Sequence, residues 1–416
     1  MQKINIQQII NEGLCIGCGL CASLFPNKIQ MQLNDAGIRP RENAPLSDSE
    51  LEQLCGVCPG IVHSGMPKNN LSEGVHIDPI WGPIERICMA YASNDHLRYK
   101  AATGGALSAI AGYLIESRKV DAILHVGASG LRPYFGHSSL STDISGVNNN
   151  CGSIYASVPP LEQIMRVINE KIIVAVIAKP CDISAIRLLS KTEHRVNEYI
   201  PYMLSPFCGG FFPPFAMKNF LSSEGIGEYD VESVSYRGNG CPGPTIIKLK
   251  DGRKIEKSYL DFWGTDSSQW HMPWRCRICP DGSGEAADIS AGDTWPDCTP
   301  TKEMINNDLG TNAVITRTPK GAELLRSALN SDYLTLYSES QPSDMNEWQP
   351  HLANKKIKAE ARFEGMRSCG QNGLITVDLR SDTLSERMSI KDYKEESKGT
   401  AHRIHKGKHS DNYPSE

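Results

Sequence analysis

Apolar residues recur along this chain with two different periods, and the alternation between them outlines an α/β core. Residues 106–115 place apolar side chains at helical intervals directly after Thr103-Gly104-Gly105, with Thr103 as the expected N-cap. Residues 87–92 and 119–126 read as strands, and 158–168 as a helix. Residues 171–178 form a continuous apolar run, the pattern of a strand buried on both faces. A helix is predicted over 183–189, a strand from Tyr202 and a helix over 217–222, so strands and helices alternate as in an α/β core. Strands are predicted over 231–236, 245–249 and 254–257, the last two joined by an Asp251-Gly252 turn. Residues 274–295 read as loop-rich, 311–316 as a last core strand and 321–329 as a helix.

The 416 residues are enough for two or three domains, and no internal repeat is visible. Charged residues make up 22% and the net charge is -5, so no basic surface advertises nucleic acid. No apolar run is long enough to span a bilayer, and Met1-Gln2-Lys3-Ile4-Asn5 lacks the apolar core of a signal peptide. A cytoplasmic protein with no membrane partner is the expectation. Fourteen cysteines without an export signal point to metal or redox work rather than to a disulfide framework.

The densest chemistry is Cys15-Ile16-Gly17-Cys18-Gly19-Leu20-Cys21. This C-x2-C-x2-C spacing opens the bacterial ferredoxin ligand run. Gly17 and Gly19 remove side chains where the backbone must wrap a cubane. Phe25-Pro26 stands where a local Cys-Pro would complete the set, so the fourth thiolate comes from Cys55 or Cys58. Cys58 is preferred because Pro59 follows it. The alternative is zinc, whose sites more usually show two separated C-x2-C pairs. Cys276-Arg277-Ile278-Cys279 supplies half of a second site. Cys181 and Cys208 fall just past predicted core strands, whose carboxyl ends open into one crevice in an α/β sheet. These four form a candidate second 4Fe-4S site, against a reading of Cys181 and Cys208 as buried packing residues. Cys241 is the competitor for a ligand position, and Cys88, Cys151, Cys298 and Cys369 read as packing residues.

Thr103-Gly104-Gly105 at a helix start is a candidate phosphate cradle. Residues 148–155 add hydrogen-bonding side chains, among them Asn150 and Ser153 beside Gly152, and the ring of Tyr155. Gly292-Asp293-Thr294-Trp295 adds a turn, a carboxylate and an aromatic ring. No GxGxxG dinucleotide fingerprint accompanies them.

Taken in order, these motifs resemble the coenzyme F420 hydrogenase/dehydrogenase beta-subunit family. The likeness runs from about residue 15 to about residue 316. It rests on the cysteine triplet with a later Cys-Pro-Gly, Thr103-Gly104-Gly105, Gly152-Ser153-Ile154-Tyr155, Lys179-Pro180-Cys181, Phe207-Cys208, Tyr236-Arg237-Gly238, Cys276 to Cys279, and Ala287 to Asp293. The resemblance implies FAD beside iron–sulfur clusters. FAD would contact Thr103, Gly104, Gly105, Asn150, Gly152, Ser153, Tyr155 and Asp293, and the clusters would be held by Cys15, Cys18, Cys21 and Cys58 and by Cys181, Cys208, Cys276 and Cys279. Two departures stand out. Ile154 replaces an expected lysine, and Cys241-Pro242 stands where an aromatic-Pro is usual, which supports Cys241 as a replacement rather than a ligand.

The expected domains are a ferredoxin-like 4Fe-4S module over 1–85, ending in a Pro-rich linker at 75–83, a catalytic domain over 86–380 and a disordered charged tail over 381–416. The expected activity is that of a ferredoxin-dependent flavoprotein oxidoreductase. Two 4Fe-4S clusters and FAD would carry electrons from ferredoxin or a partner subunit to a small-molecule acceptor. The rival is an electron-relay beta subunit of a hydrogenase or formate dehydrogenase complex, reducing coenzyme F420. Self-assembly into a homo-oligomer is compatible with either. By position, His125, His137 and Asp293 are candidate proton donors, with a structural role the more usual one for such histidines.

Overall fold

The computed structural model describes residues 4–34, 36–128, 133–263 and 272–410. An eight-stranded mixed sheet forms its centre. In chain order the strands are β1 (Arg86–Ala92), β2 (Ala122–Ala128), β3 (Gly136–Ser141), β4 (Val174–Ile177), β5 (Tyr202–Pro206), β6 (Ile289–Asp293), β7 (Asn312–Thr316) and β8 (Leu334–Glu339). Across the sheet they run β8-β1-β7-β6-β5-β4-β2-β3. The four strands β2, β4, β5 and β6 are mutually parallel. The strands β7 and β3 run against their neighbours β6 and β2, and β1 runs against both β7 and β8.

This is the mixed α/β core that the alternating periodicity predicts. The inner strands are apolar because both faces are covered: every residue of β7 is buried, whereas edge strand β8 leaves Tyr337 exposed. The helix Ala106–Glu116 buries Ile110 and Leu114 against the sheet. The helix Pro319–Asn330 buries Leu324 and Leu325 in the same cluster.

Ahead of the sheet lies a small module. Its hairpin pairs Ile29–Asn34 with Gly37–Glu42, and its helices are Ile6–Asn11, Leu20–Leu24 and Asp48–Val57. Backbone and hydroxyl bonds fix it to the core: Leu161 N–H donates to the Cys18 carbonyl at 2.9 Å and Met165 N–H to Ser23 Oγ at 2.9 Å.

Several local expectations are corrected. The helix expected over 158–168 begins only at Ile164 and ends at Asn169, because the N–H groups of Leu161 and Met165 donate to Cys18 and Ser23 of the N-terminal module instead of to a preceding helical turn. The segment 274–295 is not all loop: it contains β6, a central strand whose small residues hid its pattern. The linker 75–83 holds a hairpin of His76–Asp78 with Gly82–Ile84 and buries Trp81. Thr103 is not the N-cap; Gly105 occupies that position with φ +74°.

The expected disordered tail is helical where described, over Ser381–Ser385 and Ile390–His405, while 411–416 lie outside the described residues. Its polar composition hid a single packed stripe. Thr400 and Ile404 are buried, and Glu396 receives Arg362 Nε at 2.8 Å from the helix Ala359–Ser368. No helix among the described residues is long and apolar enough to cross a membrane.

Candidate functional site

Three cavities lie in series from the N-terminal module to the end of the sheet. The first is lined by Cys15, Cys18, Cys21 and Cys58. Gly17 and Gly19 adopt φ +68° and +84°, which lets the chain reverse twice within seven residues. A side chain at Gly17 would lie 2.3 Å from the Ile38 carbonyl. Cys58 is the C-cap of the helix Asp48–Val57, so the helix end aims it at the triplet. Cys55 is outside the cavity lining, with its thiol on the Ile4 carbonyl at 3.4 Å. Burial pushes the Cys58 thiol up to about 12, and the neighbouring Cys15 adds to the rise. Burial and the other thiols likewise raise Cys18 and Cys21.

The second cavity is lined by Cys181, Cys208, Cys276 and Cys279. Pro180 opens a ten-residue helix that places Cys181 in its first turn, just past β4. Cys208 follows β5 and donates its N–H to Gly282 at 2.8 Å. Cys276 sits in the short helix Trp274–Arg277. Burial raises the Cys208 thiol to about 12, with Cys276 and Cys279 next in effect. Cys241 lines neither thiol cavity.

Among the described residues, no three His, Cys, Asp or Glu side chains are placed to hold a single metal ion. Each cysteine set instead surrounds a small space. Ile16 forms part of the wall of both thiol cavities. Arg275, fully buried, joins them from the other side: its Nε donates to the carbonyl of Pro59, next to Cys58, at 2.9 Å, and its Nη2 meets His63 Nδ1 at 2.9 Å.

The third cavity, about 890 Å³, shares Lys179, Cys208, Gly209, Gly210, Phe211 and Lys355 with the second. Its wall includes Thr103, Gly105, Asn150, Gly152, Ser153, Tyr155 and Asp293; Gly104 is absent from it and packs against Thr311 and Asn312. The N–H of Ala106 is bound to Asn312 Oδ1 at 3.0 Å, so the helix start offers fewer open donors than its sequence suggests. Ile154, in place of a lysine, packs with an apolar cluster containing Tyr134 and Phe135.

Asp293, at the end of β6, is held by Arg237. The guanidinium reaches Oδ2 at 3.0 Å and Oδ1 at 3.2 Å, Tyr155 OH at 3.2 Å, Thr103 Oγ1 at 3.0 Å and the Ala102 carbonyl at 2.9 Å. Thr103 Oγ1 donates to the same carboxylate. Although burial alone would lower it, Arg237 is held above the usual guanidinium range by Asp293. Its Nε is buried without a hydrogen-bond partner. His125 lines the cavity but is bonded to Ser141 Oγ at 2.8 Å, and burial lowers it to about 4. His137 lies outside the cavity on β3. Arg237 and Arg275 are additions to the site the sequence predicts; the Tyr-Arg-Gly motif was the signal for the first, and adjacence to Cys276 the only one for the second.

Comparison with known proteins gives a consistent result. The family model for the coenzyme F420 hydrogenase/dehydrogenase beta subunit N-terminus matches residues 87–165, and that for its C terminus matches 173–341. The coenzyme F420-dependent sulfite reductase of Methanocaldococcus jannaschii is 24% identical over 343 residues, covering 78% of this chain and 47% of that protein. The F420-dependent formate dehydrogenase 1 subunit beta of Methanococcus maripaludis is 27% identical over 244 residues, covering 58% of this chain and 59% of that one. The chain thus spans about half the length of these curated relatives. In fold, a chain of the F420-reducing NiFe hydrogenase complex from Methanosarcina barkeri superposes with a TM-score of 0.55 at 18% identity, covering 72% of this chain and 98% of that chain.

Proposed function

Because the chain belongs to the coenzyme F420 hydrogenase/dehydrogenase beta-subunit family, we propose that it is an electron-relay beta subunit of an oxidoreductase complex, with coenzyme F420 as its redox partner. The observation that carries this reading is the continuity of the three cavities through shared walls: Ile16 between the thiol sets, and the Cys208–Phe211 loop between the second set and the large cavity. The four-thiol donor sets fit 4Fe-4S clusters, held by Cys15, Cys18, Cys21 and Cys58 and by Cys181, Cys208, Cys276 and Cys279. Four thiols around one small space are the donor set that a cubane takes. The large cavity has the size of a cofactor site, and its unpartnered Arg237 Nε and open Gly152 suit a flavin such as FAD. Bound there, the clusters would supply one-electron transfer and the flavin a bridge to two-electron chemistry.

The chain's own residues do the positioning. Arg237 orients Asp293, Thr103 and Tyr155 as one unit. Lys355, and Lys179 within its ion pair to Asp182 at 2.7 Å, border the second thiol set, where anionic thiolates must be stabilised. Asp293, engaged by Arg237, Thr103 and, at its carbonyl, Gln349, acts here as a positioning group.

A self-contained enzyme drawing electrons from ferredoxin is the second reading, and the presence of both thiol sets in one chain favours it. The two part on composition. Native mass measurement of anaerobically purified complex should find a stoichiometric catalytic partner for the relay and none for the self-contained enzyme. In either case the protein should carry about eight irons and one flavin per chain; colourless protein devoid of iron would end both readings.

A further inference from the structure

The geometry points to Arg275 as the shared counter-cation of the two thiol sets: one buried guanidinium that raises the reduction potentials of both 4Fe-4S centres together. The inference deepens the function proposed above and rests on its two-cluster reading. Arg275 precedes Cys276, lines the second thiol cavity and is 1% exposed. From there its Nε donates to the carbonyl of Pro59 at 2.9 Å. Pro59 lines the first thiol cavity beside Cys58. One side chain therefore stands in the wall of one set and is bonded to the wall of the other. Its backbone N–H is tied to the N-terminal module as well, reaching the carbonyl of Gly13, two residues before Cys15, at 3.2 Å.

The groups that hold the guanidinium are neutral. Pro59 offers a carbonyl, and His63 offers Nδ1 at 2.9 Å. Guanidinium nitrogens only donate, so this nitrogen accepts and the imidazole proton stands on Nε2. Burial lowers His63 and keeps the ring neutral. Asp281 stands behind the ring, 3.7 Å from Nε2, and its oxygens take the N–H groups of Ser283, Gly284 and Glu285. Lys179 and Lys355 line the second thiol cavity and not the first. Arg275 reaches both sets. Burial raises the thiols of Cys58, Cys181 and Cys276, and the guanidinium lowers each of them, the first in one set and the other two in the second. Reducing a thiolate-bound centre adds negative charge, and a fixed cation in a poorly screened interior favours that state. Arginine suits the place because it keeps its charge when buried. Assembly is left to each set's own ligands; what Arg275 sets in common is their electron affinity.

The test is potentiometric titration of the anaerobically purified full-length protein, followed by electron paramagnetic resonance. Arg275→Gln should lower the potentials of both centres, each by about tenfold in its reduction equilibrium, or about 59 mV for one electron. Arg275→Lys keeps the charge and should restore most of both. Lys355→Gln should lower the potential of the second centre alone, which also assigns the two waves. A shift of one centre only in Arg275→Gln, no shift of either, or an Arg275→Lys variant as low as Arg275→Gln would overturn the proposal. If Arg275→Gln sheds iron, the loss should fall on both sets and be recovered in Arg275→Lys, and loss from one set alone would equally overturn it. Iron is counted on the parent first. Fewer than about eight irons per chain counts against the function proposed above, whereas a fully loaded protein whose potentials stay fixed counts against Arg275 alone.

Discussion

The two cysteine sets reach similar arrangements by opposite routes. In the N-terminal set three thiols come from seven consecutive residues, and two left-handed glycines make the loop that gathers them. In the second set the thiols come from a helix start after β4, a loop after β5 and the Cys276–Cys279 turn. The first set depends on local chain geometry and the second on the register of a parallel sheet. The second is therefore coupled to the large cavity, since Cys208 is in both walls, while the first touches only its neighbour through Ile16. The largest expected effect tests that difference. Cys18→Ser and Cys208→Ser should each lose about four irons per chain, but only Cys208→Ser should also lower flavin retention. Equal flavin content in the two variants, read from visible absorbance, would break the comparison.

The next effect should stay on the core side. Arg237→Met leaves Asp293 with its Thr103 bond but without its cation, at a nearly buried position. Removing one partner of such a pair costs about 3 kcal/mol, to be read in denaturant unfolding, with iron at the N-terminal set unchanged. Loss of N-terminal iron in this variant would mean that the two regions are not independent.

Smaller again is a pH effect confined to the core. Burial lowers His125 from its usual 6.5 to about 4, with His137 as a secondary cause. The unfolded chain therefore binds this proton first. Stability from neutral His125 is complete above pH 6.5 and is lost as pH falls towards 4, a loss of about 3 kcal/mol at the acid limit and none at neutral pH. His125→Gln should flatten that part of the unfolding profile. A variant as acid-sensitive as the parent would remove His125 from the account.

The same contrast decides what was legible in the sequence. The triplet at Cys15, Cys18 and Cys21 announces its geometry because spacing is geometry when residues are adjacent. Cys181 and Cys208 could be placed because continuous apolar runs revealed the strands before them. Strand β6 escaped because Ser290, Ala291 and Gly292 carry little apolar bulk, although Gly292 lets the Phe207 ring approach to 2.6 Å from where a Cβ would be. Arg275 had no sequence signature beyond its place next to Cys276, since its partners Pro59 and His63 are distant in the chain. The C-terminal helix was hidden for a related reason. Its buried positions are few, and its anchoring comes from charged partners such as Arg362 and Glu396 that read as solvent-exposed in a linear scan.

The smallest effect belongs to the N-terminal set and sharpens its local character. The helix that aims Cys58 begins in a capping box: Glu50 N–H reaches Ser47 Oγ at 3.4 Å, and Ser47 N–H reaches Glu50 Oε2 at 2.6 Å. Lys28 Nζ holds the same carboxylate at 2.7 Å. Ser47→Ala should cost about 1 kcal/mol and hasten chelator-driven iron loss from the N-terminal set alone. Lys28 first, then Ser47, lower Glu50 from its usual 4.5 to about 2. The carboxylate's contribution is thus complete above pH 4.5 and fades only between there and pH 2, whereas His125 acts on the core mainly above pH 4.5. Amide exchange in the helix Asp48–Val57 of the Glu50→Gln variant, compared with the parent across that range, isolates the effect. If the parent helix began to open near pH 6 instead, the N-terminal set would be responding to the core, and the local account of its assembly would fail.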